Sequence, residues 1–380
     1  MVSPKRGHAS WIVAVTFVAG VILGGIISAY VLYGQINTLN KKLSNVESMV
    51  SILTGNQTVY NQNFTVYMNQ TAFSVIYDEV KDSVVVITGT TSSGTVQGSG
   101  FVYNLTGSMI VVTNNHVVAG ATGISVTFSD GNGYAATVNG TDSYSDLAVL
   151  SVAGAPQSEF KPLLILNSSS LKVGDEVIAI GNPYGLTGSM TTGIVSALGR
   201  TITESDLAGG YAIANIIQTS TPINPGNSGG PLLTLNGTVV GITTAIVTNS
   251  QGLGFAVPSE TIVKEVPSLA AVGSYDLHSY LGVEGSDMDY DTAHSMNATV
   301  TYGWLINSVV AAGPAAGAKP TAVQANDIII ALNATRIING DALTSWMEQN
   351  TVPRDTVVLT VARGSQTLQL SVTLGKRPAP

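Results

Sequence analysis

Residues 223–234 read INPGNSGGPLLT and set one serine, Ser228, among glycines, prolines and asparagines just ahead of an apolar run. Gly and Pro weaken strand and helix interiors alike, so the composition predicts a tight, irregular turn. Such a turn offers backbone N–H groups and one hydroxyl to a ligand. A serine hydroxyl is almost wholly protonated at neutral pH, so a nucleophilic Ser228 needs a base. The chain has four histidines. His8 precedes a candidate membrane span, and His278 and His294 fall in a C-terminal unit of different pattern. His116 is left, in TNNHVVAG at the end of the apolar strand MIVV. A carboxylate should hold its imidazole in one tautomer. Asp146 in SDLAVL opens a strand of solid apolar residues, whose burial would force its carboxylate to find a partner. Asp130 and Asp142 are the alternatives, in Gly- and Asn-rich turns that read as solvated. The chemistry this set could do is acyl transfer, with the amides of Gly226 and Ser228 converging on a developing oxyanion.

The elements that must position these residues are mostly strands. Between Ser74 and Val266, short β-like runs such as SVVVITG, GSGFVY, MIVVTNN, DLAVLSV, EVIAIGNPYG and LGFAVP alternate with Gly, Asn and Ser. Roughly a dozen strands at this spacing predict two β-barrels. The order His116, Asp146, Ser228 is that of the chymotrypsin-type double barrel, not of subtilisin or the α/β-hydrolases. VPSLAAVGS (266–274) reads as a domain boundary. From Tyr275 the strands bracket two helical stretches, near Pro314–Lys319 and Gly340–Gln349, which predicts an α+β unit of about 100 residues.

The composition narrows the function classes. The chain has 380 residues, 44% apolar and 10% charged, with 41 glycines and a net charge of −8. That charge argues against nucleic acid binding, and no basic stripe appears. Without cysteine there is no disulfide, thiolate catalysis or Cys-based zinc site. No metal or organic cofactor is implied. Residues 11–33 carry no charge and, as helix, would reach roughly 34 Å against roughly 30 Å of bilayer core. They are expected to form a retained transmembrane helix after a short cytoplasmic tail, 1–10. N-x-S/T sequons begin only after it, from Asn56 to Asn333, which favours an exterior location for the bulk of the chain. Ile36, Leu39, Leu43, Val46, Val50 and Leu53 follow a heptad pattern, so 34–71 reads as a possible coiled-coil stalk and linker. The sparse charge also hints at an acidic working environment.

TNNHVV, SDLAVL, AIGNPYGL, GIVSALGR, INPGNSGGPL and LGFAVP, in this order, resemble the motifs of HtrA/Deg serine proteases. YLGV, GWLINSVVAAGPAAGA, NDIIIALNATRI and VVLTVARGSQTLQLSVTLGKRP resemble that family's PDZ domain. The resemblance implies a trypsin-like serine protease domain over 72–266 and a PDZ domain over 275–378. It implies His116 as general base, Asp146 as its orienting partner and Ser228 as nucleophile. Gly226, Asn227 and Ser228 then form the oxyanion hole. Ile223, Ile246 and Val247 line the specificity pocket, which suits aliphatic residues before the cut. Thr244 and Ala245 lie on the substrate-pairing strand. Tyr280, Leu281, Gly282 and Val283 form the loop that binds a peptide C-terminal carboxylate, and 200–215 contains a sensor loop. Two departures are Ser220, where the family often has Asp, and Asn326, where it commonly has Gly.

The implied function is a membrane-anchored endopeptidase of protein quality control, acting on unfolded polypeptides outside the cytoplasm as a homotrimer or larger homo-oligomer. A PDZ-based chaperone, or a stress-sensing protease with a narrow substrate range, is the alternative.

Overall fold

The computed structural model describes residues 34–35, 72–92, 94–182, 188–203, 212–224, 226–244 and 253–378. The expected span 11–33 lies outside them, as does the stalk apart from Gly34 and Gln35, which are helical. Among the described residues no helix is long and apolar enough to cross a membrane. The described residues from Ala72 onward belong to one compact unit.

Six strands close a first barrel: β1 Val84–Thr91, β2 Gly94–Leu105, β3 Ser108–Thr113, β4 Thr122–Thr127, β5 Gly133–Asp142 and β6 Leu147–Val152, paired in the order β1-β2-β3-β6-β5-β4. Six more close a second: β7 Glu176–Gly181, β8 Ser189–Thr203, β9 Ala212–Thr219, β10 Pro231–Leu233, β11 Val239–Thr244 and β12 Gly254–Pro258, in the order β10-β11-β12-β9-β8-β7. All pairings are antiparallel. The expected double barrel is the observed one.

The near-continuous apolar runs have a geometric cause. Successive strand residues point to opposite faces, and here both faces are covered. Val111 and Leu150 fill the first barrel, while their neighbours Val112 and Val149 face the core shared with the second. In β7, Val177 and Ala179 point into the second barrel, and Ile178 and Ile180 into the shared core. A short N-terminal helix, α1 (Ala72–Val80), adds Ile76 and Val80 to that shared core.

The stretch read as a boundary is instead the end of a helix, Ser259–Val272 (α3; the shorter α2 is Asn115–Val118). Ile262, Val266 and Leu269, at helical spacing, bury against the barrels, and Pro267 is accommodated inside the helix. The chain turns off it at Gly273, whose φ of 87° suits the left-handed C-terminal cap.

Beyond it, β14 Val283–Asp287, β15 Trp304–Val309, β16 Ile328–Leu332, β18 Thr356–Arg363 and β19 Gln366–Thr373 form one antiparallel sheet in that order. β17 (Thr335–Arg336) pairs with β16, and β13 (Ser279–Tyr280) with β20 (Gly375–Lys376). Helix α4 is Tyr290–Met296 and α5 is Gly340–Asn350, while Pro314–Gly317 is a single 3₁₀ turn. Asn326 has a φ of 71°, a left-handed position that Asn tolerates better than most residues.

Helix α5 docks on the β8–β9 hairpin. Asp341 accepts from the Thr201 amide at 2.8 Å and pairs with Arg200, the Ser345 hydroxyl donates to the Gly199 carbonyl, and Gln349 donates to Asn215. Next to it lies a buried ionic cluster. His278 meets Asp142 through Nε2 (2.6 Å) and Glu348 through Nδ1 (3.1 Å), Lys264 binds Glu348 at 3.0 Å, and Glu265 packs behind. Burial alone would push His278 down, but its bonds to the two carboxylates outweigh this and raise it from 6.5 to about 10. Burial likewise pushes Glu348 up, and His278 and Lys264 overcome it, holding the carboxyl at about 2. Glu265, starved of water and beside Asp142, is raised well above its ordinary value.

The signs then set a stability profile. The contribution of Glu348 is full above 4.5 and lost as pH falls through about 2. That of His278 is full below 6.5 and lost as pH rises through about 10, and Glu265 adds to the alkaline loss. Urea midpoints measured across this range should peak in mild acid and decline on both sides. The alkaline decline should flatten in His278→Ala.

Candidate active site

Strand β3 ends at Thr113, and the chain turns through Asn114 into α2, which carries His116. Strand β6 begins immediately after Asp146. The two segments are tied by backbone. The Asp146 carbonyl accepts from the Asn115 amide at 3.1 Å and from the Asn114 side-chain amide at 2.9 Å. The Asp146 carboxylate is fully buried and receives three groups. Oδ1 accepts the His116 backbone N–H at 2.9 Å, Oδ2 meets His116 Nδ1 at 2.7 Å, and the Thr244 hydroxyl donates to Oδ2 at 3.1 Å. A carboxylate accepting in this way places the ring proton on Nδ1 and leaves Nε2 with a lone pair. The imidazole is 11% exposed, so its ring is reachable. An imidazole held like this can take a proton from a hydroxyl and return it to a leaving group.

The turn around Ser228 explains its glycines. Gly226 and Gly229 have φ of 100° and 84°. A Cβ on Gly229 would lie 2.1 Å from the Ser99 carbonyl oxygen, and one on Gly230 2.2 Å from that of Ile180. Neither site admits a side chain. The turn is bound to β2 and β11: Ser99 N–H donates to the Ser228 carbonyl (2.8 Å), and Ser99 Oγ to that of Gly226 (2.6 Å). Gly229 N–H donates to the Thr243 carbonyl (2.8 Å), and Thr243 Oγ1 to that of Asn227 (2.6 Å). One glycine brings the two halves together. A Cβ on Gly98 would lie 2.7 Å from Val117, the residue after His116, and 3.2 Å from the Ser228 carbonyl oxygen.

Asn227 departs from expectation. Its amide donates to the Asn224 carbonyl at 3.0 Å and is spent inside the turn, so it adds no donor beside Gly226 and Ser228. Ile223 is half-buried against the second barrel's core. Ile246, Val247 and Ala245 lie outside the described residues, as do 204–211 of the expected sensor loop. Thr244 is buried, with its hydroxyl on Asp146. Far from Ser228 in sequence, Tyr280, Leu281, Gly282 and Val283 border a cavity of about 220 Å³ closed by Leu343 and Met347 of α5 and by Thr201, Ala212 and Ala214 of the β8–β9 hairpin.

Of the alternative carboxylates, Asp130 is exposed as expected. Asp142 is not solvated. It is buried and bonded to His278, which composition could not reveal because the partner is 136 positions away. Asp142, Glu265 and His278 bring three possible metal-ligand atoms within 4.8 Å of one another. The 2.6 Å between His278 Nε2 and Asp142 Oδ2 is a hydrogen bond, since two donors on one tetrahedral cation at about 2.0 Å stand roughly 3.3 Å apart.

Residues 98–242 match a trypsin-like peptidase domain, and residues 279–374 a PDZ domain. The chain is 37% identical to the serine protease HhoA of Synechocystis over 282 residues, covering 73% of this chain and 70% of HhoA. It is 38% identical to the periplasmic pH-dependent serine endoprotease DegQ of Escherichia coli, covering 73% of this chain and 59% of DegQ. The matched region is 54% of the DegP-like periplasmic serine endoprotease of Chlamydia trachomatis, so the chain spans little more than half of some relatives. Among solved structures, the HtrA-type protease AlgW with a tripeptide superposes with a TM-score of 0.65 at 30% identity, over 82% of this chain and 99% of that one.

Thr244→Val removes a hydrogen bond to a charged acceptor, worth about 1.5–3 kcal/mol. Turnover of a nitrophenyl ester should fall in kcat with KM little changed. Asp146→Asn, which offers the wrong donor pattern to Nδ1, should cost about 10⁴ in kcat.

Proposed function

Because this chain belongs to the HtrA/Deg family of trypsin-like serine endopeptidases with a PDZ domain, we propose that it cleaves unfolded polypeptides in protein quality control outside the cytoplasm. His116 is the general base, Asp146 orients it, and Ser228 is the nucleophile. The observation that carries this reading is the pairing of His116 Nδ1 with the fully buried Asp146 carboxylate, together with a turn in which the two residues after Ser228 must be glycine. In the reaction Ser228 Oγ attacks the scissile carbonyl while Nε2 takes its proton. Gly226 and Ser228 amides receive the oxyanion, and losing one such donor costs about 3–4 kcal/mol. The imidazolium then protonates the leaving amine. Water repeats the sequence on the acyl-enzyme and regenerates Ser228. Ile223, with Ile246 and Val247, forms an aliphatic specificity pocket, and Ala245 follows Thr244 on the strand that pairs with substrate.

The PDZ loop Tyr280–Val283 receives a peptide C-terminus, which adds as a strand. The cavity it borders is closed by β8 and β9, whose connection is 204–211, and this supports that connection as the segment through which a bound peptide acts on the active site. Residues 11–33 anchor the chain in the cell membrane. The heptads after them favour a homotrimer or larger homo-oligomer. The periplasmic relatives support an exterior location.

The test compares the purified full chain with Ser228→Ala on unfolded casein. Cleavage by the parent and none by the variant is expected. Retained cleavage in Ser228→Ala overturns the assignment of the nucleophile.

A further inference from the structure

The turn that delivers Asp146 is gripped from outside the barrel. Asp146 itself has a φ of 53°, a left-handed conformation that is strained for a non-Gly residue and persists only where the surroundings over-determine it. Those surroundings are specific. Thr141 N–H donates to the Gly273 carbonyl at the end of α3. Asp142 Oδ1 accepts from the Tyr144 amide at 2.7 Å, which closes the turn, while Oδ2 bonds His278 Nε2 at 2.6 Å. The Tyr144 ring lies under the Arg377 guanidinium, 3.8 Å from its centroid, and the phenol donates to the Pro378 carbonyl. The Ser145 hydroxyl donates to Glu265 of α3, and Ser143 meets the Asn115 side chain next to His116 at 3.4 Å. His278 is itself held from behind by Glu348 of α5, which Lys264 also binds.

We propose that His278 is a positioning residue for peptide hydrolysis: by holding Asp142 it fixes the four-residue step to Asp146 and so aims that carboxylate at His116. This rests on the reading of Asp146 as the partner of the catalytic base. The physics favours position over mere adhesion for two reasons. The bond ends on the same short turn as the Asp146 carboxylate, with a backbone–side-chain bond between Tyr144 and Asp142 leaving little slack. The turn also carries stored strain at its far end, so releasing one anchor gives it a lower-energy place to go. The groups facing His278 are Asp142 and Tyr144 of the turn, Glu265 of α3, Tyr275 beside it and Glu348 of α5. They surround it with acceptors and aromatic edges, so the ring donates from both nitrogens and stays in one orientation. The outcome is that the PDZ-bearing half of the chain supports the active site through a side chain, independently of the 204–211 segment.

The test uses the purified full chain and its variants His278→Ala, His278→Gln, Asp142→Asn and the pair His278→Ala/Asp142→Asn. The assays are nitrophenyl-ester turnover, the pH dependence of kcat/KM and thermal unfolding. A shift of about 1 Å in a catalytic group costs up to ~100-fold, and for His278→Ala a fall of roughly tenfold in kcat with KM within about twofold is expected. The acidic limb of kcat/KM should move to lower pH, because an imidazolium that loses its carboxylate is a stronger acid. His278→Gln, which can still donate to Asp142, should recover part of the loss. The double variant should be no worse than the poorer single, since both cut the same link. If His278→Ala does not fold, Asp142→Asn keeps the volume and carries the same expectations. Unchanged kcat and an unmoved acidic limb alongside a lowered Tm would overturn the proposal and leave His278 as an element of stability. That result is distinct from activity in Ser228→Ala, which overturns the assignment of the active site itself.

Discussion

A carboxylate without access to water must be met by donors, and those that meet Asp146 come from separate parts of the chain. The His116 amide and imidazole arrive from the end of β3, and the Thr244 hydroxyl from the end of β11 in the other barrel. The cost of burying an unpaired ion is several kcal/mol, so these contacts are obligatory. Meeting them forces the two barrels to abut at one place. The serine turn is drawn to the same place, because Thr243, next to Thr244, takes the Asn227 carbonyl and Gly230 into the end of β11. A single desolvated group thereby sets the relative position of a base, its orienting acid and a hydroxyl that lie on three different segments.

The glycines of the serine turn answer to the same crowding. Ser99 and Ile180 carbonyls stand where side chains on Gly229 and Gly230 would be, so backbone packs on backbone across the barrel junction. Such contacts bring N–H groups close to one another without intervening side chains, which is the condition for amides to converge on a developing charge. The double burial of the strands serves the same end. With one face in a barrel interior and the other in the shared core, strands such as β3 and β7 have no freedom to slip by a residue, since a slip would exchange the two faces.

What could be read from the residues followed locality. Ser228 carried its signal in its own neighbours, and His116 and Asp146 in the strand ends on which they sit. The double barrel was legible in its dozen apolar runs, and the C-terminal α+β unit in the change of pattern after Tyr275. The helix 259–272 was not anticipated, and its end was read as a domain boundary, because Pro267 and two small residues there look like a linker, while the apolar stripe Ile262, Val266, Leu269 was the better guide. Asn227 was assigned a donor that the turn consumes, since a motif gives residue types but not which way an amide faces. Asp142 was read as solvated from its Gly- and Asn-rich surroundings. It is buried and bonded to His278, a residue that no local window joins to it. Interfaces between consecutive domains are in this respect the least legible part of a chain.

The ionic cluster at that interface has a consequence for how the protein can change over time. Asp142, Glu265, His278 and Glu348 are spread over two halves often regarded as separable modules, yet they meet in one largely buried cluster, which Lys264 completes by pairing with Glu348. Losing His278 first would strand the charge of Asp142, and losing Asp142 first would leave His278 facing Glu265 alone on that side. Neither half can therefore drift freely. Descendants that replace this cluster must pass through a state that is less stable, or change both halves together, and a PDZ domain borrowed from a relative without the matching histidine would arrive with nothing to offer the acidic turn.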